Sequence, residues 1–90
     1  MTEEELLAKA ILGVVDFHGL VFQNDHNGCG EQHIHYILQQ VADGDVTGTK
    51  AHRFIGWAQA VLTMEGHLTL DESRNINRKV IEELYNESGI

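Results

Sequence analysis

The chain has 90 residues and a mass of 10.1 kDa, enough for one core and not two, because chains divide into separate domains only at well over twice this size. Six Lys and Arg stand against 14 Asp and Glu, a net charge of −8, which sets direct binding of duplex nucleic acid and of anionic membrane surfaces against Coulomb repulsion. The single Cys leaves no intramolecular disulfide, no apolar run approaches the roughly 20 residues that cross a bilayer, and the acidic start Met-Thr-Glu-Glu-Glu is the opposite of a basic export signal; the expectation is a reduced, cytoplasmic protein.

Thr2 to Glu5 has the spacing of a capping box, which predicts a first helix over 3–18. Leu6, Leu7, Ala10, Ile11, Val14, Val15 and His18 recur along it at intervals of three and four, the mark of one wide apolar face. Residues 23–28, Gln-Asn-Asp-His-Asn-Gly, are rich in turn formers and read as a loop. Ile34, Ile37, Leu38 and Val41 form an i, i+3, i+4, i+7 stripe, so a second helix is expected over 29–42, with Gly44 as its C-terminal glycine. Thr49 is the expected cap of a third helix over 50–65. From Ala51 to Met64 only His52, Arg53, Gln59 and Thr63 are polar, and a helix apolar around most of its circumference is either central in its domain or at an interface. Gly66 ends it, and Thr69 to Glu72 is a second capping box before a last helix over 70–86, with Ile76, Val80, Ile81 and Leu84 expected to face inward. The fold class is therefore all-α, a small single-domain bundle of about four helices spanning residues 1–90.

Charge is unevenly spread along these elements. Residues 1–49 carry eight acids and one base, Lys9, whereas residues 50–90 carry six acids and five bases. Seven of the eight net negative charges thus belong to the first half. Apart from Glu3 to Glu5 the acids are scattered, so solvated helix faces and loop ends account for them. The sharper reading is a surface that imitates nucleic-acid charge, with Glu31, Asp43 and Asp45 as its carriers.

On the third helix His52, Gly56, Gln59 and Thr63 share one strip, and Arg53, Trp57, Ala60 and Met64 share the adjacent one. Gly56 costs about 1 kcal/mol against Ala in a helix interior, which points to close approach of another backbone or a ligand there. Arg53 and Trp57 lie one turn apart, within reach of a guanidinium-on-indole contact. The run KAHRFIGWAQAVLTMEGHLTLDESRNINR, Lys50 to Arg78, resembles a pattern in small, mostly uncharacterised bacteriophage and prophage proteins: a His-Arg-aromatic stretch, a Gly-aromatic-x-Gln helix, then Gly, a Thr-capped turn and a short charged helix. The resemblance covers about a third of the chain. It implies a small helical accessory protein made early in infection, in the host cytoplasm, that works by binding rather than by chemistry. His52, Arg53, Trp57 and Gln59 are the matching positions, although core packing accounts for Trp57 and Gly56 equally well.

Six His make a metal or catalytic site worth weighing, since His18, His26, His33 and His35 fall around Cys29. With a helix starting by Cys29, the thiol and His33 would sit one turn apart and could share a zinc ion, with His26 or Asp25 as a third ligand. Against this, His33 and His35 diverge by about 200° around a helix, and no paired-Cys motif is present. A nucleophilic Cys29 with His33 as base lacks an oxyanion-hole segment and an orienting third group. No catalytic or metal residue and no cofactor is therefore assigned, and Cys29 reads as a small core residue.

These observations favour a non-enzymatic, phage-type accessory protein that binds and modulates a host or phage protein, in one form as an acidic inhibitor of a host defence or transcription component. Its partner-binding residues would be His52, Arg53, Trp57 and Gln59 on the third helix and Glu31, Asp43 and Asp45 in the acidic half, and a small chain with so apolar a helix can also gain buried area by forming a homo-oligomer. Two alternatives use other residues: a small-ligand site in which His52, Arg53 and a helix N-terminus hold a phosphorylated metabolite or nucleotide, and a zinc-binding domain around Cys29.

Overall fold

The computed structural model describes residues 2–24, 26 and 30–87. Four helices follow one another, α1 (Glu3–Val14), α2 (Glu31–Ala42), α3 (Gly48–Met64) and α4 (Leu70–Glu87), and no strand occurs among the described residues. The chain is the all-α, four-helix domain that its periodicity predicts.

The helix ends carry the chemistry read from the sequence, with three corrections. At α1 the Thr2 hydroxyl accepts the Glu5 N–H at 3.2 Å. At α4 the box is complete: Thr69 Oγ1 accepts the Glu72 N–H at 3.0 Å while Glu72 Oε1 accepts the Thr69 N–H at 2.9 Å. Gly44 and Gly66, with φ of 80° and 79°, close α2 and α3 in Schellman turns. In each, one N–H reaches back five residues (Asp45 to Gln40, His67 to Leu62, both 2.9 Å), a geometry that needs a left-handed residue. The first correction is that α1 stops at Val14 rather than residue 18, because Asp16 Oδ1 accepts the His18 N–H at 3.0 Å and offers the backbone a turn in place of the helical ladder. The second is that α2 begins at Glu31, with Gly30 as its cap, two residues after the expected start. The third is that α3 begins at Gly48, with Thr47 in the N-cap position but making no side-chain cap hydrogen bond, which places Thr49 inside the first turn and not at the cap.

The core is made of Leu6, Leu7, Ala8 and Ile11 from α1, the full Ile34, Ile37, Leu38 and Val41 stripe from α2, Ala51, Ile55, Ala58, Val61 and Leu62 from α3, and Ile76 and Val80 from α4. Each fully buried Leu or Ile contributes about 1.5–3 kcal/mol. The central element is α1, which packs against all three other helices. Of the two places expected for α3, central or at an interface, the central one is thus taken by α1, and the outer half of α3 is open to solvent. Ile81 is also displaced from its expected inward position, being 61% exposed. The physical reason is azimuth: the inward face of α4 runs through Ile76, Val80 and Leu84, and Ile81 lies about 100° round the helix from Val80, off that face.

Candidate functional site

Because α3 and α4 each lean on α1 and hardly meet one another, a groove of about 460 Å³ remains between them. Its α3 wall is Gln59, Ala60, Thr63 and Met64, and its α4 wall is Leu70, Ser73, Arg74 and Asn77. The five-residue connection Glu65–Thr69, bounded by the Schellman turn and the capping box, sets how α4 leaves α3. Met64 and Leu70 flank that connection and are 61% and 60% exposed, large apolar side chains with little cover. Gln59 Nε2 and Ser73 Oγ are buried in these walls and make no hydrogen bond, and buried polar groups of that kind are uncommon in a finished surface. Arg74 is the one charged residue among the described residues of the lining.

The groove continues along α3. Arg53, Trp57 (39% exposed), Ala60 and Met64 follow one another at helical spacing on the outward side. Gly56 is exposed, and a Cβ built there would meet nothing within 4 Å. Its expected close neighbour is therefore not found among the described residues. The ring contact that α3 makes with a cation is Lys50 over Phe54, 5.6 Å from the centroid, in place of the Arg53–Trp57 pair suggested by spacing. His52 sits at the other end of the face, its Nε2 2.6 Å from Glu4 Oε1. Desolvation pushes the Glu4 carboxyl up, but hydrogen bonds from Thr2 and its own backbone and the charge and hydrogen bond of His52 outweigh it and hold the carboxyl below its usual range. A carboxylate against His52 opposes an anionic ligand at that position, which counts against the phosphorylated-ligand reading.

A second cluster, missed in the sequence, lies behind the α3–α4 connection. Glu65, the C-cap of α3, has a side chain with no exposed surface. Its carboxylate accepts the backbone N–H of Gln23, Asn24 Nδ2 at 2.8 Å and His26 Nε2 at 2.9 Å. The donors from Asn24 and Gln23, aided by His26, lower its pKa to about 2. Close by, His67 Nε2 donates to the Val21 carbonyl at 2.8 Å, and Phe22 lies between the rings of His26 and His67 at 5.7 and 6.0 Å. This cluster straps the loop after α1 onto the turn that shapes the groove. One sequence signal could have found it: an acid at a helix C-terminus opposes the dipole and needs compensating donors.

The acidic residues do not converge. Glu31 is the first residue of α2, half-buried beside Phe17, His18 and His35, whereas Asp43 and Asp45 are exposed at the far end of that 12-residue helix, about 18 Å away. Gln39 Nε2 donates to Asp43 at 3.0 Å. Of the zinc reading, Asp25 and Cys29 lie outside the described residues, His33 and His35 are exposed, and His26 is committed to Glu65. Among the described residues no group of three His, Cys, Asp or Glu is placed to hold a metal ion, and no helix is long and apolar enough to cross a membrane. Compared with protein-family models, curated proteins and solved structures, the chain matches none.

Proposed function

We propose that this chain is a non-enzymatic accessory protein of phage type that binds and modulates another protein, and that its binding face is the groove between α3 and α4 with the adjoining outer strip of α3. The observation that carries the reading is the continuity of uncovered apolar surface, Trp57, Ala60, Met64 and Leu70, next to two buried polar atoms without partners. Clustered apolar exposure with a few unsatisfied polar groups is the usual condition of a surface awaiting a partner. The resemblance of Lys50 to Arg78 to small phage proteins supports the same reading, because that run includes both walls of the groove. The scattered positions of Glu31, Asp43 and Asp45 favour this face over the acidic half.

The test is a photo-crosslinking amino acid placed at Ala60, with Gln39 on the exposed side of α2 as the comparison site, in protein produced in bacterial cells. Position 60 is expected to capture one discrete protein, and Met64→Glu should abolish that capture without lowering thermal stability. Complex formation should then be reproduced with the purified pair. Equal capture from position 39, or capture indifferent to Met64→Glu, would place binding elsewhere.

A further inference from the structure

Resting on the reading of the α3–α4 face as an interaction surface, we infer that a second copy of this chain occupies it when no other partner is present, α3 of each copy lying antiparallel against α4 of the other. Register argues for this pairing. On α3 the exposed strip is Arg53, Trp57, Ala60 and Met64, and on α4 it is Leu70, Arg74, Asn77 and Ile81. Both strips advance by four, three and four residues, the step of helices that pack knobs into holes, and both are about 17 Å long. They are also level, because Met64 and Leu70 flank one turn and meet at the same end of the groove, from which α4 runs back beside α3. A two-fold axis parallel to the helices therefore brings Met64 to Leu70 of the second copy, Ala60 to its Arg74, Trp57 to its Asn77 and Arg53 to its Ile81, each meeting made twice. The sizes suit these layers. Met64 and Leu70, 61% and 60% exposed, cover one another, and small Ala60 leaves room for the Arg74 stem, whose guanidinium then reaches the face of Trp57 one turn along.

The charges are self-complementary in this arrangement. Asp71, Arg74, Arg78 and Glu82 make a neutral stripe on α4, which calls for neither a strongly acidic nor a strongly basic partner. Glu82 follows Ile81 and so comes beside Arg53 of the second copy, about 1.5 Å along the axis. The other two-fold pairing, α4 on α4, would set Arg74 and Arg78 of both copies together and is disfavoured. Area fixes the strength: α3 and α4 have 17 and 18 residues, and a two-helix face about 26 Å long and 20 Å wide covers about 1,000 Å² over the two copies, the lower limit of a specific interface. The dimer is accordingly weak, and at a few micromolar the face is open to another protein.

Sedimentation equilibrium across a wide range of concentration tests this, with Trp57, the chain's only tryptophan, as a second reporter. The mass should rise from monomer toward dimer with a Kd of about 10–100 µM, and Trp57 emission should shift to shorter wavelength with it. Arg53→Glu and Glu82→Arg should each weaken the dimer at least about tenfold, since each homodimer then holds two like-charge pairs. An equimolar mixture of the two variants should regain the native affinity, because the mixed dimer again holds two pairs of opposite charge. A mass that stays monomeric up to about 500 µM, a rise in mass without a Trp57 shift, single variants that dimerise as the native chain does, or a mixture no tighter than either variant alone would overturn the assignment. The underlying reading fails separately. A monomeric chain whose position 60 still captures a different protein removes only the second copy, whereas a dimer that captures no other protein removes only the accessory role.

Discussion

Gly56 carries the clearest residue-level argument for the proposed binding face on the outer side of α3. A glycine inside a helix costs about 1 kcal/mol against alanine, and an added Cβ there would touch nothing within 4 Å, so the fold gains nothing from its absence. Gly56→Ala should therefore stabilise the isolated protein by about 0.4–1 kcal/mol, seen as a higher midpoint in urea or heat, and weaken the complex proposed for this face. A variant that is both less stable and fully competent in binding would contradict the assignment. Helical spacing places Arg53 and Trp57 on the exposed strip that continues the groove and Gln59 in its wall, whereas His52 meets Glu4, a contact across 48 residues that spacing does not reveal. Glu65 was only partly legible: an acid at a helix C-terminus signals that donors are needed, but its three donors, Gln23, Asn24 and His26, are 39 to 42 residues away, so the local pattern does not say which they are.

At the scale of elements, legibility followed how local the determining contacts are. The capping boxes at Thr2 and Thr69 and the glycines at 44 and 66 act within five residues, and all four were visible in the sequence. The end of α1 was not, since an apolar period continues through His18 while one competing Asp16 hydrogen bond breaks the ladder. The position of α3 was not either: periodicity reveals how much of a helix is apolar, but which helix lies in the middle depends on how all four pack. Two of the threonines near helix starts, Thr69 and Thr49, make this measurable. Thr69→Ala removes a cap hydrogen bond actually made and should cost about 0.5–2 kcal/mol. It should also loosen Leu70 at the groove's edge and lower partner affinity. Thr49→Ala, within the first turn of α3 and exposed, should change stability by no more than about 0.5 kcal/mol. Equal losses in the two variants, measured by chemical denaturation, would mean that Thr49 caps α3 after all.

For the whole molecule, the two carboxylates held below their usual range are also the ones that tie separate parts of the chain together. Glu4 meets His52 from α1 to α3, and Glu65 straps the loop that follows α1 to the end of α3. Both therefore reinforce the packing of α3 on α1, on which the open groove depends. Glu65 titrates near 4.5 when unfolded and about 2 when folded. Its folded form thus keeps its charge where the unfolded chain takes up a proton. By linkage, its contribution is complete above about pH 4.5 and is lost as the pH falls from there toward 2. Glu65→Gln should then be less stable than the native protein by a constant margin at neutral pH, and the margin should narrow steadily between pH 4.5 and 2. Because the Glu65 side chain is fully enclosed, that margin should persist at high salt, whereas the margin for His52→Gln, whose ring is 49% exposed, should shrink. Urea unfolding of the three proteins across this pH range and at two salt concentrations makes the comparison. If the Glu65→Gln margin stays the same down to pH 2.5, the carboxylate is not what fastens the loop, and the α3–α4 turn must owe its position to the Phe22 ring contacts and the His67 hydrogen bond instead.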